Sequence, residues 1–364
     1  MNGKIPAARP DIGEEEKEAV MEVLESGQIA MGPKVKEFEE KFASYIGVEE
    51  AVAVSSGTAA LHLSLLAAGV GIGDEVIVTP YSFFSSVSMV MAVGAVPVFV
   101  DIDKDTFCVD PEKIEDKVSD DTKAILPVHL YGHPAEMGVI NGIAEEKGLI
   151  VIEDACQAHG AEYNGVKVGG IGDMGCFSFY ATKNMITGEG GMVTADDHTL
   201  ANEVRKLREH GRVARGRYTR VGYNYLMTDV EAAIGIVQLG KLDEMNEKRR
   251  ENAERLNNEL QKLEEENIVK TPLEKENCKH VYHQYALRVP SEKRNRIIAS
   301  MQKAGIQVRT GYEVPIYEQE AIGLDAECPE TVLACDEVIW LPIHHLLEGQ
   351  HVSRMAWGLE QFLL

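Results

Sequence analysis

The chain has 364 residues, 45% of them hydrophobic and 26% charged, and carries a formal net charge of -23. That suits a globular protein with one large domain and a smaller one, and its field repels nucleic-acid phosphates and anionic lipid. No apolar run approaches the roughly 18 residues of a membrane span, the acidic start MNGKIPAARPDIGEEE reads as no signal peptide, and 6 scattered cysteines without a C-x-x-C pair point to reduced thiols in a cytoplasmic protein rather than to zinc or disulfides.

The pattern predicts helices over IGEEEKEAVMEVLESG and PKVKEFEEKFASYIG, the first opened by acidic residues and closed by glycine. Short apolar runs then alternate with helices. AVAVSS is followed by GTAALHLSLLAAG, and EVIVTP by SSVSMVMAVG. VPVFVDID leads to a predicted helix PEKIEDKVSD, AILPVHLYG to EMGVINGIAEEKG, and LIVIEDA follows. GCFSFYA and GGMVTAD fit further strands. Such alternation implies an α/β fold with a mostly parallel sheet between helices. VEAAIGIVQLG is a strong helix with Thr228 or Asp229 as its cap. LGKLDEMNEKRRENAERLNNELQKLEEE reads as a solvated linking helix, with no sustained apolar seam. VYHQYALRVP, SEKRNRIIASMQKAG and VIWLPIHH then form a smaller α+β domain. The predicted division is 1–240 and 241–364.

In open α/β sheets, ligands bind beyond the carboxyl ends of the strands. After AVAVSS, Gly57 and Thr58 open a helix whose free N–H groups suit a phosphate, although an ordinary helix cap has the same composition. After EVIVTP, Phe83 offers a ring for stacking, or simply core. Asp154 ends a strand, where a buried carboxylate needs a partner such as a protonated ring nitrogen. His159 is a candidate to orient it, or a structural histidine. Lys183 follows FSFYAT among aromatic and small residues, surroundings that lower an amine's pKa and make it nucleophilic. Asn224 and Tyr225, in GYNY, carry polar tips within reach of a ligand. These are the parts a pyridoxal-phosphate (PLP) enzyme needs.

The run of SSGTAALHLSLLAAG, TPYSFFSSV, VIEDACQAHGA, FSFYATKNMITGEGG and GYNYLMTDVEAAIGIVQL resembles the DegT/DnrJ/EryC1/StrS sugar aminotransferases. It extends along nearly the whole chain. The resemblance implies an aspartate-aminotransferase-like fold of type I. It implies that Lys183 is the Schiff-base lysine, that Asp154 faces the pyridine nitrogen, and that Gln157 lies at the phenolic oxygen. Phe83 would stack on the ring, and Gly57, Thr58 and Ser178 would form the phosphate cup. Asn224 would reach a neighbouring subunit's phosphate, which implies a homodimer with shared active sites. The substrates implied are a nucleotide-linked keto-sugar, aminated at C3 or C4 for aminosugar and polysaccharide biosynthesis, and an amino donor, glutamate. Relatives carry a His-Tyr-Pro run near the sugar site, where this chain has Gly311-Tyr312-Glu313. Sugar 3-dehydratases of the same fold have histidine in place of the lysine, so Lys183 speaks against that alternative. A regulatory protein without turnover finds no DNA-binding motif or basic patch to support it.

Overall fold

The computed structural model describes residues 3–363. In chain order the elements begin with α1 (Glu14–Ser26), α2 (Pro33–Ile46), β1 (Glu50–Val54), α3 (Gly57–Ala67), β2 (Glu75–Val78), α4 (Ser85–Ala92), β3 (Val96–Phe99), β4 (Thr122–Leu126), α5 (Met137–Lys147) and β5 (Ile150–Asp154). They continue with β6 (Glu162–Tyr163), β7 (Val166–Lys167), β8 (Met174–Ser178), β9 (Gly191–Ala195), α6 (His198–Arg208), β10 (Arg212–Ala214) and β11 (Arg217–Tyr218). The last third holds α7 (Asp229–Glu265), β12 (Cys278–Lys279), β13 (Tyr285–Arg288), α8 (Ser291–Lys303), β14 (Arg309–Thr310), α9 (Pro329–Glu337), β15 (Val338–Leu341) and α10 (Gly349–Leu363).

The central sheet has seven strands in the order β1-β9-β8-β5-β4-β2-β3. Only β9 runs against its neighbours. Helices cover both faces, so the strands are buried almost throughout and read as continuous apolar runs rather than alternating ones. The C-terminal unit is a three-stranded antiparallel sheet, β13-β15-β14, packed under α8 and α10. Among the described residues, no helix is long and apolar enough to cross a membrane.

Three expectations change. PEKIEDKVSD is not an α-helix but two short 3-10 turns, Pro111–Lys113 and Glu115–Lys117. Asp110 caps the first, and the segment is too short to complete a stable α-helical nucleus before β4 begins. The expected boundary at 240 falls inside α7, one continuous helix capped by Thr228 and Glu231. Ile5 packs in the C-terminal core with Leu256 and Leu260 of α7, so the first residues join the small unit. Nor is α7 merely a solvated linker. Leu242, Met245, Arg249, Asn252, Leu256, Leu260 and Leu263 are buried along it, a seam of helical period in which two polar residues interrupt the apolar ones.

Candidate active site

The carboxyl ends of the parallel strands bring the expected residues to one end of the sheet. β1 leads into α3, where the Ser56 side chain caps the helix by accepting from the Ala59 N–H at 3.1 Å. The first N–H groups of α3 have no intrahelical partner. Gly57 lies against Ser178 and Cys156: a Cβ there would sit 2.6 Å from Ser178 Cβ and 2.9 Å from Cys156 Sγ, so only glycine fits. Gly57, Thr58 and Ser178 therefore do converge, with the Thr58 side chain exposed.

Asp154 ends β5 and is 4% exposed. Its Oδ2 accepts from Ser86 Oγ at 2.7 Å and its Oδ1 from the Cys156 N–H at 3.2 Å. Among the described residues, no basic side chain lies within 4.0 Å of it, so a buried carboxylate is left with hydrogen bonds but no counter-ion. Gln157 Nε2 donates to Tyr312 Oη at 3.0 Å, and its Oε1 accepts from the Tyr131 N–H at 3.2 Å. Tyr312 stacks on Tyr131 and meets Tyr81 and Trp340 edge-on, forming an aromatic wall on that side. Phe83 stands 59% exposed just before α4.

Lys183 sits in a loop closed on itself. The Lys183 N–H donates to the Tyr180 carbonyl, and the Thr187 N–H to that of Phe179, both at 2.9 Å. Burial lowers the Lys183 pKa, an effect that the nearby Cys156 and Asp154 oppose without cancelling. The neighbouring Asn184 fixes the loop: its Nδ2 donates to Asn246 Oδ1 of α7 at 2.8 Å and to the Val281 carbonyl at 3.0 Å.

His159 is a correction. It neither orients Asp154 nor faces the cleft. After Asp154 the chain makes two successive turns, which carry the ring behind the site against Phe177 and Phe179, where it is 1% exposed. Burial depresses its pKa to about 3, so it is neutral there. The orienting role falls to Ser86, which sequence alone hides, because a serine in SSVS reads as an ordinary helix opening. Asn224 is exposed and lies apart from Lys183, beside the segment where the Ser55 N–H donates to the Tyr225 carbonyl at 2.9 Å.

Fold and site together define an aminotransferase of fold type I. A family model described as the DegT/DnrJ/EryC1/StrS aminotransferase family matches residues 10–360, and the chain belongs to that family of PLP-dependent sugar aminotransferases. It is 39% identical over 373 residues to the spore coat polysaccharide biosynthesis protein SpsC of Bacillus subtilis (strain 168), covering 97% of this chain and 95% of that protein. The S. venezuelae DesV structure, solved with a ketimine intermediate, superposes with a TM-score of 0.95 at 32% identity, covering 100% of this chain and 99% of DesV. Spr1654 from Streptococcus pneumoniae in its PLP-form superposes with a TM-score of 0.92 at 30% identity, over 99% and 98% of the two chains.

The residues present fit PLP. The counter-ion missing at Asp154 is what a protonated pyridine nitrogen supplies, and the backbone cradle at Gly57 admits a phosphate that a side chain would displace.

Proposed function

We propose that the chain moves an amino group from glutamate to C3 or C4 of a nucleotide-linked keto-sugar. The observation that carries this assignment is the pairing of a buried carboxylate lacking a counter-ion, Asp154, with a lysine amine held toward its neutral form, Lys183. When bound, PLP supplies a protonated ring able to take up the electrons released as a proton leaves the donor's α-carbon. Asp154, held by Ser86, keeps that ring nitrogen protonated. Gln157 borders the phenolic oxygen, Phe83 covers a ring face, and Gly57, Thr58 and Ser178 receive the phosphate. Lys183 Nζ binds the aldehyde carbon. Once displaced by the donor, the same nitrogen takes the α-proton and returns it one step along the conjugated system. The reverse sequence on the keto-sugar delivers the amine.

The nucleotide-sugar and the homodimer have support in the hairpin of β10 and β11. Residues 210–228 contain four arginines and no acidic residue, in a chain of net charge -23. Arg215 and Arg217 are exposed, and Tyr218 beside them is 61% exposed. The hairpin neck is pinched where Gly222 backs onto the Gly211 nitrogen, a contact no side chain would allow. An isolated two-stranded hairpin with apolar side chains in water is marginal. We assign it to the cleft of a second copy, where it and Asn224 meet the phosphates of cofactor and substrate. A cytoplasmic location fits the six unpaired cysteines.

Incubation with PLP is expected to give a visible absorption band that borohydride abolishes, with the added mass on the peptide holding Lys183. Glutamate should bleach the band and release 2-oxoglutarate, and a nucleotide-linked keto-sugar should restore it. Absence of the band overturns the assignment. Ser86→Ala is expected to weaken cofactor binding about tenfold, the loss of one hydrogen bond to a charged group. An unchanged dissociation constant would remove Ser86 from the site.

A further inference from the structure

Arg249, on the buried seam of α7, is 5% exposed. Its only hydrogen bond is from Nη1 to the Tyr282 carbonyl at 3.3 Å, and its Nε is buried without a partner. Among the described residues, no carboxylate comes within 4.0 Å of it. Burial lowers its pKa only to about 10, so it remains a cation at neutral pH. The histidines around it do not compensate. His159 and His344 are neutral, with pKa values of about 3 and about 4, and both ring nitrogens of each lack partners. A buried, unpaired guanidinium costs several kcal/mol. Nothing in the folded chain repays that cost.

The position of this charge suggests what does. Arg249 lines a narrow recess with Arg9, Lys183, Asn184, Gln238 and His345. Asp11 is the only acidic group on its wall, and its Oδ2 is already engaged by His345 Nε2 at 3.0 Å. The missing anion and the reactive amine thus share one small space. A guanidinium presents a planar fork that matches a carboxylate in two parallel hydrogen bonds. The recess is too confined for a nucleotide, but a carboxylate bonded to the carbon that Lys183 must deprotonate would lie there of necessity.

We propose that Arg249 is the subsite for the α-carboxylate of the amino donor, which makes the donor an α-amino acid read at its backbone end. The proposal rests on the aminotransferase assignment above and specifies how its first substrate is held. Bringing the carboxylate to Arg249 fixes the α-carbon relative to Lys183 Nζ. Keto-sugars carry no such carboxylate, so the subsite separates the two substrates that share one cleft.

The test uses PLP-loaded wild type, Arg249→Met and Arg249→Lys, with L-glutamate titrated against the visible band and melting followed with and without glutamate. Arg249→Met is expected to keep the band and the keto-sugar KM while the glutamate concentration for half-bleaching rises about 30-fold, as for the loss of a charge-assisted pair. Arg249→Lys should recover part of that loss. Arg249→Met should also melt higher than wild type without ligand, because it removes an uncompensated buried charge. Half-bleaching within threefold of wild type overturns the proposal. So does an Arg249→Met chain that fails to fold, which would make the guanidinium structural. A wild type that never forms the band instead sinks the aminotransferase assignment itself.

Discussion

Lys183→Ala is expected to fold, to retain PLP without covalent attachment, and to lose amino transfer by roughly 10⁴-fold or more. One nitrogen performs two tasks here, holding the aldehyde and then moving the α-proton, so its removal is not made good by a neighbour. Arg249 shares the recess but does not give up its proton at working pH. Stability should change little, since the amine removed is one that burial already disfavours in its charged form. Steady-state transfer assays, the borohydride-sensitive band and thermal melting check the three parts. Normal multiple turnover in this variant would refute the catalytic assignment.

The largest effect on stability is expected at the residue beside Asp154. Glu153 is fully buried. Its Oε2 meets His129 Nε2 at 2.9 Å and the Gly169 N–H at 2.7 Å, and its Oε1 accepts from the N–H groups of Ile171 and Gly172 at 2.8 and 2.7 Å. His129 Nδ1 accepts from the Ala135 N–H at 3.0 Å, which leaves Nε2 to donate to the carboxylate. Glu153→Ala would strand these donors and is expected to cost about 3–5 kcal/mol in urea unfolding. Burial alone would raise the Glu153 pKa, but His129 and the backbone donors outweigh it and hold the group below the usual carboxylate value. Its contribution is therefore complete above the unfolded-state pKa and fades as pH falls through the depressed folded value. The gap between wild type and Glu153→Ala should narrow in acid. A loss under about 1 kcal/mol at neutral pH would show that the clamp is dispensable.

Much of the fold was legible because buried parallel strands write themselves as short apolar runs between helices, and Asp154 and Lys183 stand out as charges at the ends of such runs. What stayed hidden depends on distant partners. Ser86 meets Asp154 across 68 residues, and Tyr312 joins Tyr131 and Trp340 only after the small unit docks. His159 is adjacent to the site in sequence but behind it in space, since two turns separate its ring from the carboxylate. Arg249 lay concealed in EKRRENAER, where a charged run suggests solvent. The recurrence of Met245, Asn252, Leu256 and Leu260 around it was the available signal, masked because the seam is polar at its midpoint.

The 37 residues of α7 run without a break from the α2 contact to the C-terminal core, about 55 Å at helical rise. Its first turn is bolted down by Asp229, whose Oδ1 accepts the Gly32 and Val35 N–H groups at 2.8 and 3.0 Å. A rod fixed in this way and shared by both units leaves no hinge at their junction. Exchange of the two substrates must then proceed through rearranged side chains and the mobile reach of a neighbouring copy's arm, not through a swinging jaw.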